Sequence, residues 1–401
     1  MVALWLLACG AGCYRSHARA SPRDTGSLGD AGPCLEIARE TVESPAPLSS
    51  RVGPIWQMGT SSAITAPLAN LTWSADGARL VMRAFDNTAF DGPGEVVVYE
   101  AIGDCWTTLA RIHNDRAGFY LDASRDGGLI ALELSRPGPG WAVYERPAGN
   151  VLEPTYTIGE DAVRDGRLHW SPRVWLDVSN IIHLRALDLT SREVRHEYTG
   201  DADLRGFESA IDRNLIAIPP IRLDLPLIRL LRYETDIGFR HLMDIDTRDI
   251  SMYALGPSIN LNPMGTAIAS LLVRSDGRNS PVLIHLPEDF AWTASVGADW
   301  TPRFRSFLQF PSAIADGEHL VWITGVAEDQ SDAAVHYYEA RGDQLVETWV
   351  EQPVQDGVTL CVVSAVPGPD GRLAVVAARN CDPRVDETSP VDNELFLYVY
   401  E

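Results

Sequence analysis

The chain has 401 residues, 45% of them hydrophobic and 22% charged, the balance of a folded globular protein rather than a disordered or collagenous one. Its formal charge is −22 at pH 7. Such a surface repels phosphate, so nucleic acid and anionic lipid are poor partners, while cationic protein segments remain compatible. Every basic side chain other than histidine is arginine, because the chain contains no lysine. This fits a GC-rich coding sequence and carries no mechanism.

Met1 to Ala8 reads MVALWLLA and runs into Cys9. The segment Leu6-Leu7-Ala8-Cys9 resembles the end of a bacterial lipoprotein signal peptide, in which a small residue precedes the lipid-bearing cysteine. That resemblance implies export and an anchor at Cys9. Gly10-Ala11-Gly12-Cys13 offers Cys13 as the alternative anchor. The apolar run is short and lacks a preceding positive charge, so a frayed amino terminus is the competing reading. It is too short for a membrane-spanning helix, which needs about 20 apolar residues. Residues 14–33 are rich in Ser, Gly, Pro, Asp and Arg without a hydrophobic period, and are expected to form a flexible tether.

From residue 70 onward the chain repeats. The clearest unit is Asn70-Leu-Thr-Trp73-Ser-Ala-Asp76-Gly77-Ala-Arg-Leu80-Val-Met82. An alternating strand enters a turn at Asp-Gly, whose positive backbone φ suits a hairpin, and a second apolar strand leaves it. Copies follow at Asp126-Gly127, Asp316-Gly317 and Asp370-Gly371, with weaker ones around Arg173, Arg213 and Gly265. The seven anchors are spaced by 40 to 54 residues. Second hairpins such as Glu95–Glu100 with Cys105–Leu109, His183–Asp188 with Glu193–His196, and Ala334–Glu339 with Gln344–Trp349 complete four-strand units. No useful run has helical period. The expected fold is therefore all-β: a β-propeller of about seven four-stranded blades, over residues 34–401. A β-sandwich with similar hairpins is the alternative.

The Trp-Ser-x-Asp-Gly-x-x-Leu turn resembles the repeats of TolB-type propellers, related to WD-like repeats, and of the propeller halves of prolyl-oligopeptidase-like proteins. The resemblance covers about residues 70–401. Two features depart from those families: no amino-terminal α/β domain precedes the blades, and no hydrolase domain with a Gly-x-Ser-x-Gly elbow accompanies them.

The last unit has strands at Leu360–Val366, Leu373–Ala378 and Glu394–Tyr400 and then ends at Glu401, so its outer strand is missing. An open edge invites aggregation. A strand from residues 35–66, such as Leu35–Ala38 or Ile55–Met58, is expected to supply it. Cys361 and Cys381 flank the Asp370-Gly371 hairpin and can pair across it. Cys34 and Cys105 fall on neighbouring units and can clamp the junction. Reduced, buried cysteines are the alternative. Lipidation at Cys9 leaves Cys13 unpaired, whereas lipidation at Cys13 leaves two neat pairs. Local chemistry favours Cys9.

Loops between second and third strands and between blades emerge on one rim of a propeller, where ligands bind. Several are acidic here: Asp86 and Asp91, then Glu328, Asp329 and Asp332, then Asp382, Asp386 and Asp392. Clustered carboxylates suit a basic peptide or Ca²⁺, although no Ca²⁺-loop spacing is present and plainly solvated loops would read the same way. The nine histidines form no zinc motif, and no phosphate-binding glycine loop occurs. Trp73, Trp170 and Trp322 recur near the first two strands, as blade packing or as a sugar-binding channel. Two readings survive. One is a non-enzymatic, monomeric envelope or secreted scaffold for a protein or peptide, without a required cofactor. The other is a channel-centred enzyme of lactonase or polysaccharide-degrading type. Leu71, Leu121, Phe207 and Ile259 are apolar where that enzyme needs convergent polar groups, which favours the scaffold.

Overall fold

The computed structural model describes residues 39–41, 50–57, 67–74, 76–86, 94–102, 105–114, 117–124, 126–134, 140–158, 163–168, 174–179, 183–200, 207–210, 214–219, 227–246, 248, 254–273, 278–289, 291–299, 311–324, 333–379 and 395–400. The fold is all-β. No helix among the described residues is long and apolar enough to cross a membrane.

The strands form antiparallel meanders of four. The first contains Pro67–Trp73, Arg79–Asp86, Gly94–Ile102 and Cys105–Asn114, and the second Ala117–Ala123, Leu129–Leu134, Gly140–Glu145 and Tyr156–Ile158. The third contains Val163–Leu168, Val174–Ser179, His183–Asp188 and Val194–Thr199. The fourth contains Glu208–Ala210, Leu215–Ile218, Leu227–Glu234 and Gly238–Asp246. The fifth, Ala254–Leu261, Ala267–Val273, Asn279–His285 and Thr293–Val296, meets the sixth, Ser312–Ala313, His319–Thr324, Ala334–Arg341 and Gln344–Glu351, at one parallel pair, Val296 with Gln344.

The seventh meander has Cys361–Pro367, Leu373–Ala378 and Leu395–Tyr400 from the carboxyl end. Its fourth strand is Ser50–Gln57 from the amino end, antiparallel to Leu395–Tyr400. The expected segment, containing Ile55, thus supplies the missing strand, and Arg39–Thr41 pairs outside it as a fifth. Cys34 is expected just before this strand, but in the sequence Arg39–Thr41 comes between Cys34 and Ser50–Gln57.

Both faces of each meander are apolar, and consecutive meanders bury them against one another. Val81 and Val98 of the first meet Ile130 and Leu132 of the second. Trp141 of the second meets Trp175 of the third edge-on, with ring centroids 5.0 Å apart. Leu176 and Leu184 meet Ile216 and Tyr233, and Ala217 and Leu230 meet Ile259 and Ile268. Ala269 and Leu283 meet Leu320 and Trp322, and Val321 and Tyr337 meet Val375 and Tyr398. The last pairing joins the two ends of the chain: Ala374, Val376 and Leu397 of the seventh meander pack on Leu71, Trp73 and Tyr99 of the first. The innermost strand Pro67–Trp73 accordingly touches both Ala117–Ala123 and Cys361–Pro367. Each Leu-, Val- or Phe-sized side chain buried in such a seam contributes about 1.5–3 kcal/mol.

The repeated Ser-x-Asp-Gly sequence has a local cause. In the first turn, Gly77 N–H donates to the Ser74 carbonyl at 2.9 Å, and Ser74 N–H donates to the Arg79 carbonyl at 2.9 Å. Ser74 Oγ donates to Asp76 Oδ1 at 2.6 Å, and that oxygen also accepts from Ala78 N–H at 3.0 Å. Arg79 N–H then donates to Ser74 Oγ at 2.9 Å. Ser124, Asp126 and Leu129 repeat the pattern. Only the glycine carries positive φ, +69° at Gly77 and +62° at Gly127, so the loop is longer than the two-residue hairpin expected for Asp-Gly. In the fourth meander Asn214, at φ +53°, takes the left-handed position beside the expected anchor Arg213, which lies outside the described residues, as does Arg173.

Gly127→Ala tests whether these turns also serve the seams. A Cβ there would lie 2.5 Å from Arg79 Cδ of the preceding meander, whereas a Cβ on Gly149, at a similar φ of +64°, meets nothing within 4 Å. Urea unfolding is expected to show Gly127→Ala about 1–3 kcal/mol less stable than wild type and Gly149→Ala only about 1 kcal/mol less stable. Equal losses would mean that the seam plays no part.

Candidate functional site

The sequence points first to the acidic rim, and only Asp86 of it falls on a described element. It ends the strand Arg79–Asp86, opposite Pro67 in the register. Asp91, Glu328, Asp329, Asp332, Asp382, Asp386 and Asp392 lie outside the described residues, as do Cys9, Cys13, Cys34, Cys381 and Trp170. Cys105 opens the strand Cys105–Asn114. Cys361 is buried at the start of its strand, with its sulfur 3.3 Å from the Ala378 carbonyl oxygen. Among the described residues no group of three or more His, Cys, Asp or Glu side chains is placed to hold a metal ion.

The apolar residues weighed against a polar channel prove uninformative about it. Leu71, Leu121, Phe207 and Ile259 are each buried in a seam between meanders. The reason is geometric: both faces of an inner strand are taken up by neighbouring sheets, so strand residues alternate between two seams. The same geometry disposes of the channel role for Trp73 and Trp322, which pack within seams.

At the end of the sheets where the first hairpins turn, polar side chains of one meander bind the turn glycine of the next. Arg79 Nη1 donates to the Gly127 carbonyl at 2.9 Å while its Nε and Nη2 hold Glu100 Oε1 at 3.1 and 3.0 Å. Arg372 Nη2 donates to the Gly77 carbonyl at 2.5 Å, and Nε donates to Asp370 Oδ2 at 2.6 Å. Its guanidinium also lies over Trp73 and Trp106, 5.1 and 5.4 Å from the ring centroids. Trp73 Nε1–H donates to the Val366 carbonyl at 3.0 Å across the same seam. In the fifth meander His285 hydrogen-bonds the backbone of Gly317. Sequence reasoning passed over these residues. The one visible signal was an arginine closely following Asp-Gly at Arg79 and Arg372.

His285 and Ser295 have the parts of a base and a nucleophile, with Nε2 3.1 Å from Oγ. The surroundings give them another role. Ser295 is fully buried, and its hydroxyl donates to the Gly342 carbonyl of the sixth meander at 2.6 Å. The pair braces the fifth seam beside the backbone bond from Val296 N–H to the Asp343 carbonyl, 3.0 Å.

Other charges are likewise taken up in local pairs. Asp177 is completely buried, and Arg185 forks onto it at 2.9 and 3.1 Å. Burial raises the Asp177 carboxyl and the Arg185 contact opposes that rise. Burial likewise lowers the Arg83 guanidinium to about 10, against the pull of Glu133. Arg229, on the third strand of the fourth meander, bonds Asp244 of the outer strand at 3.1 Å and the Tyr198 hydroxyl of the third meander at 3.0 Å, with His241 also 3.0 Å from Asp244.

No family model matches the chain, and no curated protein matches it in sequence.

Two histidines give opposite pH signatures. The hydrogen bond from His319 Nδ1–H to the Asp316 carboxylate, at 2.6 Å, raises His319 above the usual imidazole value. The folded state therefore holds its proton, and this contribution, full below about pH 6.5, fades as pH rises through the folded value. Burial lowers His285, so the unfolded state binds the proton more tightly and stability falls as pH drops below about 6.5. Denaturant melts should show the advantage of wild type over His319→Gln shrinking from pH 6 to pH 8.5. The advantage over His285→Gln should grow from pH 5 to pH 7. Parallel pH profiles for the two variants would contradict the assignment.

Proposed function

We propose that the chain is a seven-bladed β-propeller of a bacterial envelope, exported and held by lipid at Cys9, with Cys13 as the alternative, that binds a protein or peptide on its acidic rim. The observation that carries the architecture is the set of apolar seams: each meander packs on the next, and the seventh packs on the first. In this reading the meanders are blades, Ser50–Gln57 is the closing outer strand, and the chain is a relative of TolB-type propellers through its Trp-Ser-x-Asp-Gly turn at Trp73–Gly77 and the Asp-Gly turns that repeat it.

The seams also direct the choice of binding face. They consume both faces of the blades, and the Arg79, Arg372 and His285 contacts occupy the turn end. Loops between second and third strands, with those between blades, are left to carry recognition. Asp86, Asp91, Glu328, Asp329, Asp332, Asp382, Asp386 and Asp392 make that rim acidic, and the net charge of −22 steers cationic segments toward it. The disulfide pairs proposed are Cys361 with Cys381 and Cys34 with Cys105. The first is supported by the placement of Cys361 opposite Ala378, three residues before Cys381. A bond of this kind contributes about 2–4 kcal/mol.

The rim is tested by neutralising it. Full-length protein and an Asp382→Asn, Asp386→Asn, Asp392→Asn triple variant are compared for capture of envelope proteins at low and high salt. Wild type is expected to capture a specific protein whose retention falls with salt, and the variant is expected to lose most of it at unchanged melting temperature. Identical capture by both proteins would overturn the rim assignment.

A further inference from the structure

The amino-terminal strand and the seam beside it are held by different kinds of contact. Ser50–Gln57 meets Leu395–Tyr400 in only four aligned pairs: Arg51 with Tyr400, Val52 with Val399, Trp56 with Leu397 and Gln57 with Phe396. Between Val52 and Trp56 the register breaks, leaving three residues opposite Tyr398 alone. One of the three is Pro54, which has no backbone N–H to give to a ladder. The outer pairs of the first and sixth meanders keep nine and seven aligned residues and those of the fifth and second four and three, so it is the three-residue break around Pro54 that distinguishes this strand.

The seam itself closes on other groups. Arg372 bonds the Gly77 carbonyl and lies over Trp73 and Trp106, and Trp73 bonds the Val366 carbonyl. Trp73 and Trp106 meet edge-on at 5.7 Å. Beneath them Leu71, Leu80 and Met82 pack on Ala374, Val376 and Leu397. Apart from the Trp73–Trp106 contact, which is internal to the first meander, these contacts join the first meander directly to the carboxyl-terminal strands of the seventh. The guanidinium is partly desolvated, its side chain 19% exposed, which strengthens its attraction to the ring faces.

We infer that Ser50–Gln57 is a releasable strap: it leaves the edge of Leu395–Tyr400 while the Arg372–Trp73–Trp106 lock keeps the first and seventh meanders joined. Release bares the backbone edge of Leu395–Tyr400. A strap with a broken ladder opens at lower cost than a seam stapled by side chains from two sheets. Its amino-terminal side continues into the segment that carries Cys9 and Cys13, so tension on an anchor there would reach the strap before the ring.

Hydrogen exchange on the full-length protein, followed by mass spectrometry, separates strap from seam. In wild type the amides of residues 50–57 are expected to exchange at least about tenfold faster than those of residues 67–82 and 361–378. Arg372→Gln is expected to speed exchange at 67–82 by about tenfold while changing 50–57 less than about twofold. If this variant does not fold, Arg372→Lys keeps the charge and removes the fork, and a smaller acceleration confined to the seam is expected. A common rate for strap and seam in wild type would overturn the inference, as would unchanged seam protection in the Arg372 variants. The wild-type comparison decides without any variant.

Discussion

A four-stranded sheet with two apolar faces cannot stand alone in water. Everything else in this fold depends on covering both faces of every meander. A row of stacked meanders covers all faces but two, the outer face of the first and the outer face of the last. Here those two faces meet, with Leu71, Trp73 and Tyr99 on one side and Ala374, Val376 and Leu397 on the other. The end-to-end seam turns a row into a closed set, and it explains why the first and last units carry more directional contacts than burial alone requires.

Those contacts share one device. A turn glycine with positive φ exposes its carbonyl toward the preceding meander, and a side chain from that meander donates to it. Arg372 does so to Gly77, Arg79 to Gly127 and, by its imidazole, His285 at Gly317. The Asp that precedes each of these glycines organises the turn through its own backbone acceptances, so one short motif both bends the chain and presents the next acceptor. The pH behaviour of His285 follows from this position, since a half-buried imidazole wedged against a neighbouring turn resists protonation.

Much of this was legible in the residues. Asp-Gly at residues 77, 127, 317 and 371 marks the first hairpins because only glycine takes the left-handed step cheaply. The partner of each arginine was not legible. Arg79 and Gly127 become neighbours only when consecutive sheets stack, and Arg372 and Trp106 only when the last sheet returns to the first. The meaning of Leu71, Leu121, Phe207 and Ile259 was misjudged for the same reason: their strands are inner, but their side chains face seams. The rim was chosen by charge and loop position alone, since most of its residues lie outside the described parts of the chain.

The central claim is that the two ends of the chain share a seam, and the most direct measurement is a double-mutant cycle between Arg372 and Trp106. Urea unfolding of wild type, Arg372→Met, Trp106→Leu and the double variant yields their coupling energy. With the guanidinium 5.4 Å from the indole centroid, a coupling of about 0.5–2 kcal/mol is predicted. Strictly additive losses would place the two residues apart and contradict a closed arrangement of the seven meanders.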